Sequence, residues 1–164
     1  MTSRITIETP AIDPAVTTVE LLRAKADGLA RTAAECIRQQ DRCAKLNALD
    51  CGQTEKKLAR EMATHADRIL ATMVESYEKS AARVKPDGDD EAWWKKANAV
   101  WMAAREYSRR HSSADGSEGS ARHSGEVAAL GELQLDAELE ASALLAMRHA
   151  VKHYAAARGD VILT

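Results

Sequence analysis

The sequence predicts an all-α fold, a bundle of about four helices with a flexible serine–glycine linker before the last one. Three observations carry that prediction. Alanine recurs along the whole chain, while phenylalanine is absent and aromatic residues total only 4%. Alanine is the best helix former, and a β-sandwich would draw on more Val, Ile, Phe and Tyr. Apolar residues return every three or four positions over long stretches, which is the period of a helix with one buried face. Cap and turn residues divide those stretches into four. The 164 residues, 45% apolar and 29% charged, suffice for one domain whose core needs neither disulfide nor metal.

Residues 1–12 read as an extended N-terminal arm, since Ile5 and Ile7 alternate with polar residues and Pro10 disfavours helix at Thr9. A single helical domain is expected over 13–158. Asp13-Pro14 has the form of a helix start, an N-cap followed by a proline whose missing N–H costs nothing there. The first seam runs Val19, Leu22, Ala26, Leu29, Ala33, Cys36, Gln40 and Cys43. Gly28 sits inside this helix and points to close packing, and Gly52 offers a stop beyond Leu49. Thr54 can cap a second helix over 55–84, with the seam Ala59, Met62, Ala66, Ile69, Met73 and then Tyr77 or Ser80. Lys85-Pro86-Asp87-Gly88 ends it with turn chemistry.

Asp89, Asp90 and Glu91 favour a third, shorter helix over 91–111, where acidic groups meet the positive pole of the helix dipole. Its stripe is Trp94, Ala97, Trp101, Ala104 and Ser108, widened by Val100 and Tyr107. Trp93 projects about 100° away from Trp94, so one of the two is expected to be partly exposed. Residues 112–125 hold five serines and three glycines and read as the linker within the domain. The last helix, about Glu126 to Arg158, repeats Leu130, Ala137, Leu144 and Val151 every seven residues. A second series holds Leu133, Glu140, Met147 and Tyr154, and this period calls for long helices crossing at a shallow angle. Gly159 ends the helix and 159–164 form a C-terminal tail.

Composition excludes some functions and leaves others open. A net charge of −2 gives no global attraction to nucleic acid or anionic membrane. Locally, residues 91–112 carry five basic and two acidic groups, and 113–164 carry four and eight. No run of eighteen apolar residues spans a membrane and the first twenty residues lack a signal-peptide core, so the expected location is cytoplasmic. Cys36, Cys43 and Cys51 lack metal-finger spacing and read as reduced thiols. The sequence holds no glycine-rich phosphate loop and no nucleophile elbow, and no catalytic or cofactor-binding residue is assigned.

Two constellations stand out. His149 and His153 share a helix face at i, i+4, a spacing that can present two imidazoles to a metal, although Ala150 stands where a zinc-protease motif has its glutamate. Near a helix C-terminus, exposed solvated histidines are the simpler reading. Trp93, Trp94, Trp101, Arg105, Arg109 and Arg110 form an aromatic–basic segment of the kind found at partner interfaces, and the same spacing suits an aromatic core. The expected function is a non-enzymatic interaction or assembly protein, adaptor or structural. It would act on a protein partner or on copies of itself through helix seams wider than one small bundle can cover. The alternatives are a nucleic-acid-associated protein using the basic aromatic helix 93–110, and a metal-binding bundle using His149 and His153.

Overall fold

The computed structural model describes residues 18–49, 51–116 and 126–159, without the side chains of Asp89 and of residues 112–137. Its elements are four long helices, α1 (Val19–Ala48), α2 (Gln53–Ala81), α3 (Glu91–Gly116) and α4 (Glu126–Ala157), with a short 3-10 turn, Gly88–Asp90, ahead of α3. The all-α bundle of about four helices is therefore what the chain forms. The N-terminal arm at 1–12, the Asp13-Pro14 step, residues 117–125 of the expected linker and the tail beyond Gly159 lie outside the described residues.

α1 packs along α2 and α3 along α4; α2 also meets α3, α1 meets α4, and α1 touches α3 across the diagonal. Ion pairs fix the directions. Arg23 near the start of α1 reaches Asp90 at the start of α3 (2.7 Å), and Arg158 beyond the end of α4 reaches Asp27 in the first half of α1 (2.8 Å). α1 and α3 therefore run one way, and α2 and α4 the other.

The helix ends differ in detail from the sequence reading. α1 begins at Val19, not after Asp13, because Thr18 is still extended (φ −82°, ψ 162°). Its hydroxyl oxygen accepts the Leu21 N–H (3.1 Å) and satisfies a donor that the helix cannot. α2 starts one residue before Thr54, with Gly52 at the capping position and no side-chain cap, and it ends at Ala81. The α1–α2 turn is tight enough for Gly52 to belong to the start of α2 instead of the end of α1. Gly88 takes φ +61°, a left-handed conformation suited to glycine, where the chain turns into α3. α3 continues through 112–116, so the expected linker starts later than its serines suggest. Gly159, at φ +78°, follows the end of α4 as expected.

The first seam is buried as read: Leu22, Ala26, Leu29, Ala33 and Cys36 are inside, and Ala30, Ala34 and Ile37 widen it. α1 and α2 come so close at Gly28 that a Cβ there would lie 2.7 Å from Met73 Cε. α4 buries Met147, Val151 and Tyr154 of its two heptad series, and Glu140 is only half-buried at the edge. α2 is the correction. Its buried side chains are Ala59, Ala63, Ala66, Leu70, Val74, Tyr77 and Ser80. Met62 and Ile69 of the expected seam are exposed at 40% and 42%, and Leu58 is exposed at 51%. Apolar residues occupy a broad arc of α2, and the buried face keeps Ala59, Ala66, Tyr77 and Ser80 of the expected seam while turning toward Ala63, Leu70 and Val74 and away from Met62 and Ile69. Small Ala63 then faces inward where bulky Met62 would have held the neighbouring helices apart.

The chain has three tyrosines, and all three are buried with the hydroxyl satisfied on another helix. Tyr77 of α2 donates to Asn98 Oδ1 of α3 (2.7 Å), Tyr107 of α3 to Asp67 Oδ1 of α2 (2.9 Å), and Tyr154 of α4 to Asp27 Oδ1 of α1 (2.6 Å). Burial raises the pKa of each above the ordinary 10.0, and the neighbouring carboxylates of Asp67 and Asp27 raise Tyr107 and Tyr154 further. Asp27 also accepts two bonds from Arg158 (3.0 and 2.8 Å). Burial alone would raise the Asp27 pKa, but the bonds from Arg158 and Tyr154 and the charges of Arg158 and Arg31 outweigh it and hold the carboxyl below 3.8.

Raised tyrosine pKa values stabilise the fold below the unfolded value near 10, and that contribution is lost as pH rises above it. Absorbance at 295 nm should therefore show no tyrosinate titrating with an ordinary pKa in the folded chain. Ionisation should appear together with loss of the helical circular dichroism signal. A depressed carboxyl works in the opposite sense, since its contribution is present above 3.8 and is lost as pH falls through the lower folded value. Asp27→Asn should then cost about 2 kcal/mol in urea unfolding at neutral pH and much less at about pH 2.

Candidate interaction surface

The aromatic–basic segment lies on α3, and the structure divides it among three neighbourhoods. Trp93 is the buried member of the tryptophan pair. Its indole N–H donates to Asp90 Oδ1 (2.9 Å), and the Arg23 guanidinium lies 4.9 Å from its ring centre while also bonding Asp90. Together these groups pin the start of α3 to α1. The buried stripe accordingly runs Trp93, Ala97, Val100, Ala104 and Tyr107, with Ser108 beside it, and Trp94 is the partly exposed partner. Trp101 is half-buried against Tyr77 of α2, with ring centres 6.4 Å apart, and the Arg105 guanidinium lies over the Trp101 ring, 5.6 Å from its centre. The indole N–H groups of Trp94 and Trp101 are enclosed and have no acceptor among the described residues.

The three arginines of this segment are paired. Arg105 sits 3.6 Å from Glu78 of α2, and Arg109 and Arg110 both clasp Glu106 at 2.7 Å. Hydrogen bonds from Arg109 hold the Glu106 carboxyl below its usual range. A nucleic-acid surface needs a row of guanidinium and ammonium groups available to phosphates. Arg105, Arg109 and Arg110 instead have carboxylate partners within the bundle, and Trp93 is turned away from them into the core.

His149 and His153 are both exposed on α4. Among the described residues no group of three or more His, Cys, Asp or Glu side chains is placed to hold a metal. A second polar cluster joins Cys36, Asp67, Tyr107 and His111: Asp67 accepts from Tyr107, and its other oxygen lies 3.6 Å from His111 Nδ1. The Tyr107 and His111 rings are 4.1 Å apart. Burial, with the Asp67 charge added, pushes the Cys36 thiol well up. A thiol kept protonated is a poor nucleophile, so this cluster ties α1, α2 and α3 together and does not activate sulfur. Cys43 and Cys51 are free and half-buried.

A further candidate surface lies on the outer side of α1 and α2. A groove of about 560 Å³ runs between them, walled by Arg31, Glu35 and Arg38 from α1 and by Leu58, Met62 and Ile69 from α2. His65 lines it between Met62 and Ile69. Arg42 Nη1 approaches Met62 Sδ at 3.3 Å and extends the α1 wall. The steps 58, 62, 65 and 69 follow the four–three–four spacing of a packing seam. The sequence reading placed Met62 and Ile69 in the core and passed over Leu58. The available signal was the breadth of the apolar arc on α2, which is more than one neighbouring helix can cover.

No family model, no curated protein and no solved structure matches the chain. Among the described residues, no helix is long and apolar enough to cross a membrane.

The placement of the tryptophans has a direct consequence for stability. Trp93→Ala should lower the unfolding free energy by about 3–5 kcal/mol, because it empties a buried site and removes the Asp90 contact. Arg109→Ala, at an exposed intrahelical pair, should change it by less than about 0.5 kcal/mol. Chemical denaturation of the two variants separates the structural residue from the surface one.

Proposed function

We propose that this chain is a non-enzymatic interaction or assembly protein that engages its partner through the α1–α2 groove. The observation that carries this reading is the exposed stripe Leu58, Met62 and Ile69, at 51%, 40% and 42% exposure. Single exposed apolar residues are ordinary on any protein. Three on one helix stripe, lining a single groove at seam spacing, are what a partner-binding surface requires. The groove offers an apolar floor with Arg31, Glu35 and Arg38 along one wall, which suits an amphipathic helix laid lengthwise with its charged residues at the rim. The aromatic–basic segment has a smaller part in this reading, since Trp93 is buried and Arg105, Arg109 and Arg110 are paired within the bundle.

A photo-crosslinking amino acid in place of Ile69, introduced into the chain in its own cells, tests the reading. Irradiation should give an intermolecular adduct with a protein, and the same group at exposed Lys152 of α4 should give none. Absence of an intermolecular adduct at 69, with the variant folded, removes the groove as a partner surface.

A further inference from the structure

We infer that the occupant of this groove is a second copy of the chain, with the two α2 helices packed antiparallel about a two-fold axis midway along the Met62–His65 segment. The inference rests on the reading of the groove as a partner surface and goes further by naming the partner. Two features of α2 support it. The first is the stripe itself. Laid antiparallel on a copy, Leu58 falls opposite the partner's Ile69 and Met62 opposite the partner's His65. Each helix thus meets the other with the same residues, as a two-fold interface requires. The second is charge. Glu61 and Arg68 are both exposed, and seven residues apart they share the outer flank of the stripe. Neither makes an ion pair with a described residue, so both are available to a partner.

In the antiparallel register that pairs Leu58 with the partner's Ile69, Glu61 comes beside the partner's Arg68, and Arg68 beside the partner's Glu61. Both ion pairs form at once. A parallel arrangement brings this flank against the partner's opposite flank, where the partner's Ala59 and the partner's Ala66 stand, so neither ion pair forms. The acid lies toward the N-terminal end of the stripe and the base toward the C-terminal end, so the flank is complementary to itself only when reversed.

Charge reversal gives a test that composition alone cannot mimic. Sedimentation equilibrium of the full native chain from roughly 1 to 100 µM should show mass rising from 17.8 kDa toward twice that value. Glu61→Arg leaves two positive charges on the flank and Arg68→Glu leaves two negative ones. Each variant alone should associate about tenfold more weakly or worse. Mixed in equal amounts, the two should form a heterodimer, because each positive site then meets a negative one. The double variant Glu61→Arg/Arg68→Glu should recover self-association. Both substituted positions are on the surface, and an unchanged circular dichroism spectrum establishes that the fold is kept. A native chain that stays at 17.8 kDa throughout overturns the inference, as does a mixture that fails to pair or single variants that associate like the native chain. The Ile69 crosslink separates this failure from failure of the broader reading. An adduct with a different protein retains the groove as a partner surface and removes the second copy, and an adduct only within one chain removes both.

Discussion

Alanine lines the inner face of α1 at 26, 30, 33 and 34 and that of α2 at 59, 63 and 66, so these helices meet through side chains one carbon deep. Small residues allow helix axes to approach toward the short end of the usual 8–10 Å range, and the close contact at Gly28 shows how little space remains. An alanine seam has a weakness: it is smooth. Sliding one helix by a turn sets alanine against alanine again and changes little in the packing. Large side chains with one good fit ordinarily remove that degeneracy, and a chain without phenylalanine has few of them.

The three buried tyrosines supply what the seam lacks. Each fills a large volume, and each carries a hydroxyl that costs about 1–3 kcal/mol if it is buried without a partner. Tyr77, Tyr107 and Tyr154 find their acceptors on α3, α2 and α1 respectively, so a shift of any of these helix pairs by one turn would strand a hydroxyl and leave a carboxylate or amide without its donor. Asp27 raises the stakes, since it also holds Arg158 and ties the end of α4 to α1. Arg148 and Asp41 form a second contact between the same two helices. The polar contacts thus set the register, and the alanines set the distance.

That division explains what could be read from the sequence. Four helices, their order, most of the α1 seam and the Met147, Val151 and Tyr154 part of the α4 seam follow from periodicity and punctuation, which are local properties. The rotation of α2 does not. Its apolar arc spans Leu58, Met62, Ala63, Ile69, Leu70 and Val74, and either half makes an acceptable seam when judged alone. The choice depends on how near α1 comes, which is a property of the pair. The same holds for Trp93 and Trp94. Both are apolar and adjacent, and Trp93 goes inside because Asp90 accepts its indole N–H while Arg23 closes over the ring from α1. At the start of α1, Thr18 is a weaker local signal than Asp13-Pro14, which lies outside the described residues, and the described helix begins after the Thr18 cap. The groove is not legible for the same reason as the buried face of α2, since Met62 and Ile69 of its floor read as core residues and Leu58 belongs to no expected seam.

The size of the exposed stripe limits what it can do. Fully burying a Leu, Met or Ile side chain contributes about 1.5–3 kcal/mol, and these three are already about half covered. Covering the rest gives on the order of 3–4 kcal/mol per chain, which a two-fold contact collects twice. Association costs an estimated 4–15 kcal/mol in lost freedom before any net affinity appears. That cost takes up most or all of what the stripe and two rim ion pairs would contribute, so the proposed contact would be weak and concentration-dependent and not a permanent interface of core-like area. A His65 side chain in the middle of the seam acts in the same direction, because it occupies an apolar position with a polar group whose hydration must be given up on contact. In an alanine-rich bundle whose own register depends on a few polar contacts, the proposed association through α2 would leave the internal packing of α1, α3 and α4 undisturbed.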